Sequence, residues 1–391
     1  MRASHEMARG LAERGHDLHL FRYRFDERIY DLYGVPKESE NPLDFSSYTT
    51  IHELPDPRPS RHAAPTVLGW QVHKALKTMQ LLCDMKTFEL RAAADAMAID
   101  ALGCDAVLLH LCCFTNAPLM LKYLQTPSFW FCQEPTRSLF ETTEQLMDTG
   151  MGFCNRAYRR KRRSVEISCA RAAGTILCNS EFSREFIIRS FDIEAKVCRL
   201  GVDTAKFIPG NVPKKNQVIC WGPLWPAKGL DFIVRSVARI SVQHRPRVVF
   251  PWARGSDAYH VELETLSKRL GVITEFPRGL SDHVLIILIQ KSKVCVYAPR
   301  MELLGLVALE AMAAGIPIVA VREGGVRETV LDGVTGFLCG RDEQEFADRL
   351  LTLLEDNGLR ERMGSEAAAY VRRDWTWEQT INQIEEIMQY I

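Results

Sequence analysis

The chain has 391 residues, of which 47% are hydrophobic and 25% are charged, so wholesale disorder is excluded. Lysine plus arginine and aspartate plus glutamate both number 49, and this zero net charge makes nucleic acid a poor candidate partner. At about 150 residues per domain, the length favours two domains, or three.

Neither a membrane span nor a secretory signal is predicted. The longest apolar stretches, 284–289 and 311–321, fall short of the roughly 18–20 residues that a spanning helix needs, and the start (MRASHEMARG) has no apolar core. The twelve cysteines are scattered, with no C-x-x-C pair and no zinc-like cluster. We interpret all twelve as small buried hydrophobes in a reducing cytosol, so we expect a cytoplasmic protein without a metal site.

The first half reads as helices and short strands around an irregular segment, 23–66, which is rich in Pro, Asp and Ser. Apolar periodicity predicts helices over 4–14, 67–102 and 156–172, and another from 181. It predicts strands over 16–22, 104–111, 128–132 and 175–178. Ser180 is a candidate cap for the helix that begins at 181.

The second half alternates more regularly. Strands are predicted over 218–221, 247–250, 272–276, 294–297 and 316–321. Helices are predicted over 228–240, 257–270, 282–291, 306–314 and 326–331. Short apolar strands between helices indicate a parallel sheet covered on both faces. The segment 201–215 reads as a linker between two α/β domains, and no G-x-G-x-x-G supports a dinucleotide oxidoreductase.

Two carboxylates in 297–338 carry the chemistry. Glu302 lies just past a predicted strand, and Glu310 lies eight positions later in an otherwise apolar helix. Such a carboxylate must stay hydrated, find a partner or bind a ligand, and an ionised carboxylate accepts two sugar hydroxyls well. The backbone N–H groups of Gly305, Leu306 and Val307 would point at an anion. The alternative is a surface Glu on a helix edge.

This stretch resembles the E-x7-E signature of retaining GT-B glycosyltransferases, specifically glycosyltransferase family 4. The matching residues are Glu302, 304–306 (LGL), 309–313 (LEAMA), Gly315, Pro317, Gly324, Gly325 and Glu328. Further pieces match in order at 179–183 (NSEFS), 201–203 (GVD), Phe207, Pro209 and 228–229 (KG). The resemblance covers nearly the whole chain and is strongest after residue 175.

The resemblance implies a GT-B fold, with two Rossmann-like domains whose parallel sheets face each other across a cleft. It implies an acceptor-binding domain over 1–200, a nucleotide-sugar domain over 201–373 and a helix over 374–391 that packs back on the first domain. The activity it implies is sugar transfer, with retention, from a UDP- or GDP-linked donor to an acceptor hydroxyl, as in cell-surface glycan or glycolipid synthesis. No cofactor or divalent metal is implied.

The resemblance also implies roles for individual residues. Glu310 would hold the ribose, Glu302 would face the donor sugar, and Lys228 would neutralise the diphosphate. The backbone of Gly305, Leu306 and Val307 would cradle the phosphates. Other donor-binding candidates are Gly222, Gly324 and Gly325.

Three positions depart from the family pattern. The usual Gly-Arg before the lysine is Gly222-Pro223, so Arg254 is a candidate second cation, or else a solvated loop arginine. The segment 132–137 (CQEPTR) resembles a C-H-E-P-P-R motif with Gln133 in place of the histidine, and glutamine cannot titrate near neutral pH. His110, at a predicted strand end, is then the candidate catalytic histidine, or else a core histidine.

The start and one basic run bear on partners. Family members begin with a strand and a Gly-rich loop before the helix predicted here at 4–14, so we expect a first domain without its innermost strand, or a start upstream of Met1. Exposed strand edges favour self-association.

The run 159–163 (RRKRR) could contact the inner face of a membrane, where lipid-linked acceptors lie, or form a solvated helix face. The rival to the enzyme is a catalytically weak GT-B-like binding or regulatory subunit.

Overall fold

The computed structural model describes residues 2–23, 44–54, 70–112, 115–140 and 153–389. These residues divide into two compact units. Unit 1 takes in the described residues up to Asn179, Ser183–Cys198 and those from Ile381 onward, whereas unit 2 comprises Ser180–Phe182 and Arg199–Thr380. Both units are α/β with parallel sheets, which confirms the predicted class.

Unit 1 holds two separate parallel sheets. Its strands are β1 His19–Tyr23, β2 Thr50–Leu54, β3 Val107–Leu109, β4 Ser128–Phe131, β5 Thr175–Cys178 and β6 Lys196–Val197. Its helices are α1 Arg2–Glu13, α2 Trp70–Asp100, α3 Arg137–Phe140, α4 Phe153–Ala172 and α5 Glu181–Phe191, with a 3-10 turn at Leu119–Lys122. One sheet is β1–β2 and the other has the order β3-β4-β5-β6. Within the described part of the chain, β1 and β3 therefore do not pair with each other.

The two central strands of the four-stranded sheet in unit 1, β4 and β5, are short and mostly apolar. All four residues of β4 (SFWF) are buried, and Trp130, Phe131, Ile176 and Leu177 are almost completely excluded from solvent. Burial on both faces is what a parallel sheet between helices requires.

Unit 2 is a six-stranded parallel sheet. Its strands are β7 Gln217–Ile219, β8 Arg247–Val249, β9 Thr274–Glu275, β10 Val294–Tyr297, β11 Ile318–Val321 and β12 Gly336–Cys339. The helices are α6 Leu230–Arg239, α7 Asp257–Leu270, α8 Asp282–Lys291, α9 Leu306–Ala313, α10 Val326–Thr329, α11 Glu343–Glu355, α12 Asn357–Asp374 and α13 Trp377–Met388, with 3-10 turns at Pro226–Lys228 and Val242–His244. The order β12-β11-β10-β7-β8-β9 reverses between β7 and β10, which makes that gap the expected ligand site.

Helix ends were predicted best where a serine caps the helix. The hydroxyls of Ser256 and Ser281 accept hydrogen bonds from Tyr259 and Val284, and α7 and α8 have the predicted bounds. At α5, by contrast, the Glu328 carboxylate accepts from the N–H groups of Glu181 at 2.8 Å and Phe182 at 2.9 Å. The Ser180 hydroxyl instead donates to the Leu303 carbonyl.

Three strands were missed. β2 lies inside the segment predicted as irregular, and β6 and β12 were not predicted. The predicted strand at 104–111 is only Val107–Leu109. The interpretation of the cysteines was partly wrong, because seven of the nine described are buried but Cys104 and Cys112 are half-buried.

In the described part of the chain, no helix has both the length and the apolar character needed to cross a membrane.

Candidate functional site

A pocket opens at the carboxyl ends of β7 and β10, where the strand order of unit 2 reverses. The residues that line it come from the loops after β7, β8 and β10 and from the start of α9. They include Trp221, Gly222, Pro223, Lys228, Tyr297 and Val307. Sequence reasoning had singled out Gly222, Lys228 and Val307 among these.

Lys228 and Glu302 meet directly. The Lys228 Nζ lies 2.6 Å from Glu302 Oε2, and the Tyr297 hydroxyl donates to the same oxygen at 3.0 Å. Burial, together with the Glu302 charge, raises the pKa of Tyr297 well above its ordinary value, so the phenol stays a proton donor. Two donors therefore fix the Glu302 carboxylate beside the pocket.

The backbone under this pair is closely packed. Gly229, directly after Lys228, has a φ of +64°, and a Cβ there would lie 2.1 Å from the Ala298 carbonyl oxygen. Arg341 donates to the carbonyls of Ala298 at 3.1 Å and Pro299 at 3.0 Å, and twice to the Glu323 carboxylate at 2.7 Å. Arg341 thereby joins the ends of β10 and β11. Sequence reasoning missed it, because a lone arginine after a strand carries no signal.

Gly324 and Gly325 support the Glu302 loop from behind. The N–H of Gly325 donates to the Glu302 carbonyl at 2.7 Å. A Cβ on Gly324 would lie 2.1 Å from the backbone carbonyl oxygen of Glu302, and a Cβ on Gly325 would lie 2.0 Å from the carbonyl oxygen of Leu303. The sequence predicted that these two glycines bind the donor. In the structure they pack against the backbone of the loop that carries Glu302.

Glu310 lies on the second turn of α9 and is held by a residue that was not singled out. The indole Nε1 of Trp221 donates to Glu310 Oε2 at 2.9 Å. At the start of the same helix, Gly305 has a φ of +90° and no side chain caps the N-terminus. The backbone N–H groups at the start of α9 therefore have no side-chain cap, an arrangement that suits a bound anion.

Arg254 is exposed, and its loop is joined to the loop that carries Pro223. The N–H of Leu224 donates to the Arg254 carbonyl at 2.7 Å, and Leu224 bridges to Gly255. This backbone pairing puts Arg254 beside the position where the family has its arginine. Among the described residues, the Arg254 side chain has no hydrogen bond or ion pair.

In unit 1, His110 and Gln133 lie at the same edge of the sheet. His110 directly follows β3, and Gln133 follows β4, its neighbour in the sheet. Burial lowers the pKa of the His110 imidazole to about 4, so it is neutral at physiological pH, and its ring packs 5.7 Å from that of Phe131. Below Gln133, Thr136 hydrogen bonds to the buried Glu166, whose pKa burial raises.

The basic run on α4 is largely committed to the protein. Arg159 donates to the Ser138 carbonyl, Arg162 lies 3.6 Å from Glu166, and Arg163 covers the ring of Phe140 at 5.1 Å. Arg160 and Lys161 have exposed side chains.

The fold is that of nucleotide-sugar glycosyltransferases of the GT-B type. Sucrose-phosphate synthase from Thermosynechococcus elongatus aligns with a TM-score of 0.70 and 17% identity, over 98% of this chain and 91% of that one. HepE from Anabaena in complex with UDP-glucose aligns with a TM-score of 0.68 and 17% identity, over 100% and 95%.

The sequence comparisons narrow the class for unit 2. Residues 202–370 match the family model described as glycosyl transferases group 1. D-inositol 3-phosphate glycosyltransferase from Kribbella flavida is 32% identical over 54% of this chain and 54% of its own length. The enzyme of the same name from Acidothermus cellulolyticus is 26% identical over 73% of each chain. The match thus spans about half the length of the first of these relatives.

Proposed function

We propose that the protein is a retaining glycosyltransferase that moves a sugar from a nucleoside diphosphate sugar to an acceptor hydroxyl. One observation carries the proposal. Lys228 and the first turn of α9 line one pocket at the switch point of unit 2, and two carboxylates, Glu302 and Glu310, are bonded to the lining residues Lys228 and Trp221.

The chemistry of each group indicates which part of the donor it binds. Glu310 accepts the two ribose hydroxyls, because an ionised carboxylate has acceptors for both. The diphosphate lies against Lys228 and the N–H groups of Gly305–Val307, with Arg254 as the second cation in place of Pro223. Glu302 then faces the sugar.

Transfer breaks the bond between the anomeric carbon and the diphosphate oxygen and forms a bond from that carbon to the acceptor oxygen, whose proton passes to the departing diphosphate. Negative charge grows on the departing diphosphate, where Lys228 and the N-terminus of α9 can stabilise it without reorganising. The Lys228–Glu302 ion pair must open or share its proton donor when the diphosphate arrives. We propose that the step needs no divalent metal.

Two sources support the choice of substrates. HepE is seen with UDP-glucose, and the Kribbella relative is named for inositol 3-phosphate, so a UDP-linked hexose and a phosphorylated polyol are the first pair to test. His110 and Gln133, at the sheet edge of unit 1, are the proposed acceptor contacts. A neutral His110 can accept or donate a hydrogen bond but carries no charge there.

A membrane acceptor site has less support. Stable attachment to anionic lipid takes clusters of about four to eight basic residues, and three of the five in 159–163 are engaged within the protein. We propose a weak peripheral contact through Arg160 and Lys161, tested by sedimentation with vesicles that contain phosphatidylserine. Loss of binding in an Arg160→Gln, Lys161→Gln variant supports it, and equal binding contradicts it.

The rival function is a binding subunit with little activity. Pro223 and Gln133 favour it, because each replaces a cationic or titratable residue of the family pattern. The intact ion pair of Lys228 with Glu302 favours the enzyme. Turnover of any nucleotide sugar separates the two.

The test is a thermal-stabilisation screen of nucleoside diphosphates and their sugars. A ligand that binds only the native state at 100 times its Kd stabilises it by about 2.7 kcal/mol. We expect Glu310→Gln to weaken the best ligand more than tenfold, because hydrogen bonds to charged groups contribute about 1.5–3 kcal/mol each. Glu262→Gln, on the exposed face of α7, is the matched control and should leave the affinity unchanged. Equal affinities for wild type and Glu310→Gln refute the assignment.

A further inference from the structure

Trp221 is fixed by the backbone on either side of it. The N–H of Cys220 donates to the Val249 carbonyl at 3.1 Å, and that of Gly222 donates to Pro251 at 3.2 Å. The chain therefore continues alongside β8 beyond the end of β7. The Trp221 side chain is only 9% exposed, whereas Trp225, in the same loop, is 47% exposed.

The hydrogen bond between Trp221 and Glu310 can run in only one direction. An indole N–H can only donate, so the 2.9 Å bond to Glu310 Oε2 requires a lone pair on the carboxylate. A bond to a charged acceptor in a buried setting is short and strong. Because Trp221 is buried and the backbone on both sides of it is held, the indole restricts the rotation of the carboxylate to which it donates.

This restriction matters for a vicinal diol. Two adjacent hydroxyls can donate to one carboxylate together only if the carboxylate plane is correctly oriented. Trp221 lines the same pocket as Lys228 and Val307. It therefore forms part of the pocket wall next to the Glu310 carboxylate.

We propose that Trp221 is a positioning and specificity-determining residue, which orients Glu310 for the 2′,3′-diol of a ribonucleotide. The inference rests on the proposed function, since it presumes that Glu310 binds the ribose. It adds that discrimination between ribose and 2′-deoxyribose depends on an aromatic residue outside the E-x7-E stretch.

The test compares Trp221→Phe with the matched control Trp225→Phe. Calorimetry measures the Kd of UDP and 2′-deoxy-UDP for both variants and wild type, or of the guanosine pair if the screen selects GDP. We expect Trp221→Phe to raise the Kd of the ribonucleotide about tenfold and to bring the ratio of the two Kd values close to one. Trp225→Phe should change neither value.

Two further variants keep the result interpretable. Trp221→His, which restores a ring N–H, should recover part of the ribose preference, whereas a purely structural role predicts no recovery. If Trp221→Phe melts early, Trp221→Leu, which also lacks a ring N–H, still tests the idea through the same ratio of the two Kd values.

Failure of the inference differs from failure of the function. Trp221→Phe with an unchanged ratio, beside a Glu310→Gln variant that loses UDP, overturns the role of Trp221 alone. A wild-type protein that binds no nucleotide, or a Glu310→Gln variant that binds as wild type does, overturns both.

Discussion

Replacing Gly324 by alanine should disable the site while leaving the fold intact. Gly324 has a φ of +62°, and an added Cβ would lie 2.1 Å from the Glu302 oxygen and 2.8 Å from its nitrogen. Both atoms belong to the backbone, so no side chain can turn away. Relief requires the Glu302 loop to move by about 1 Å, and a displacement of that size in a catalytic group can cost about 100-fold in rate.

The loss of stability distinguishes backbone strain at the glycine from displacement of the Glu302 loop. Left-handed backbone costs an alanine about 1–2 kcal/mol, and overpacking adds about 1–3 kcal/mol. Gly333→Ala is the matched control, because Gly333 has a φ of +77° but no atom within 4 Å of its Cβ position. Gly333→Ala should lose only about 1–2 kcal/mol of stability, which is what left-handed backbone costs, and it should keep its activity.

The assay is release of nucleoside diphosphate from the best donor, with melting curves for both variants. We expect a fall in kcat of about 100-fold for Gly324→Ala and wild-type kcat for Gly333→Ala. Equal activity in the two variants would refute the argument that the glycine pair sets the position of Glu302.

Three further predictions follow from the same geometry. Lys228→Ala should abolish turnover, whereas EDTA should not; inhibition by EDTA that magnesium reverses would show that the metal-free mechanism is wrong. Because burial depresses the folded-state pKa of His110 from 6.5 to about 4, the unfolded chain binds the extra proton first. Stability should therefore fall as pH drops from 6.5 towards 4, less steeply in His110→Gln, and identical pH profiles of the melting temperature would contradict this. Because β1 and β3 lie in separate sheets and, among the described residues, leave strand edges without a partner strand, size-exclusion chromatography should show self-association, and a monomer at high concentration would exclude it.

Local patterns predicted much of unit 2. Regular apolar spacing gave the bounds of α7 and α8, whose serine caps the structure then showed, and the apolar strands predicted a parallel sheet. The spacing of Glu302 and Glu310 was read within a single loop and helix. That Lys228 and Glu302 serve one donor came from the family resemblance, and their direct contact across 74 positions was not predicted.

The contacts that sequence reasoning missed are long-range and depend on single side chains. Trp221 and Glu310 are 89 positions apart, and Glu328 caps α5 from 146 positions away. Strand β2 was missed because it lies inside the segment rich in Pro, Asp and Ser, and its partner β1 lies on the far side of most of that segment. Such pairings leave no local periodicity to detect.

The central claim is that the pocket at Lys228, Glu302 and Glu310 turns over a nucleoside diphosphate sugar. The most direct measurement is release of UDP or GDP from a panel of sugar nucleotides in the presence of candidate acceptors, with wild type, Glu302→Gln and Glu262→Gln assayed side by side. We predict release from one donor by wild type and Glu262→Gln, and none by Glu302→Gln. Equal release by Glu302→Gln and wild type, or release from no donor at all, would contradict the account.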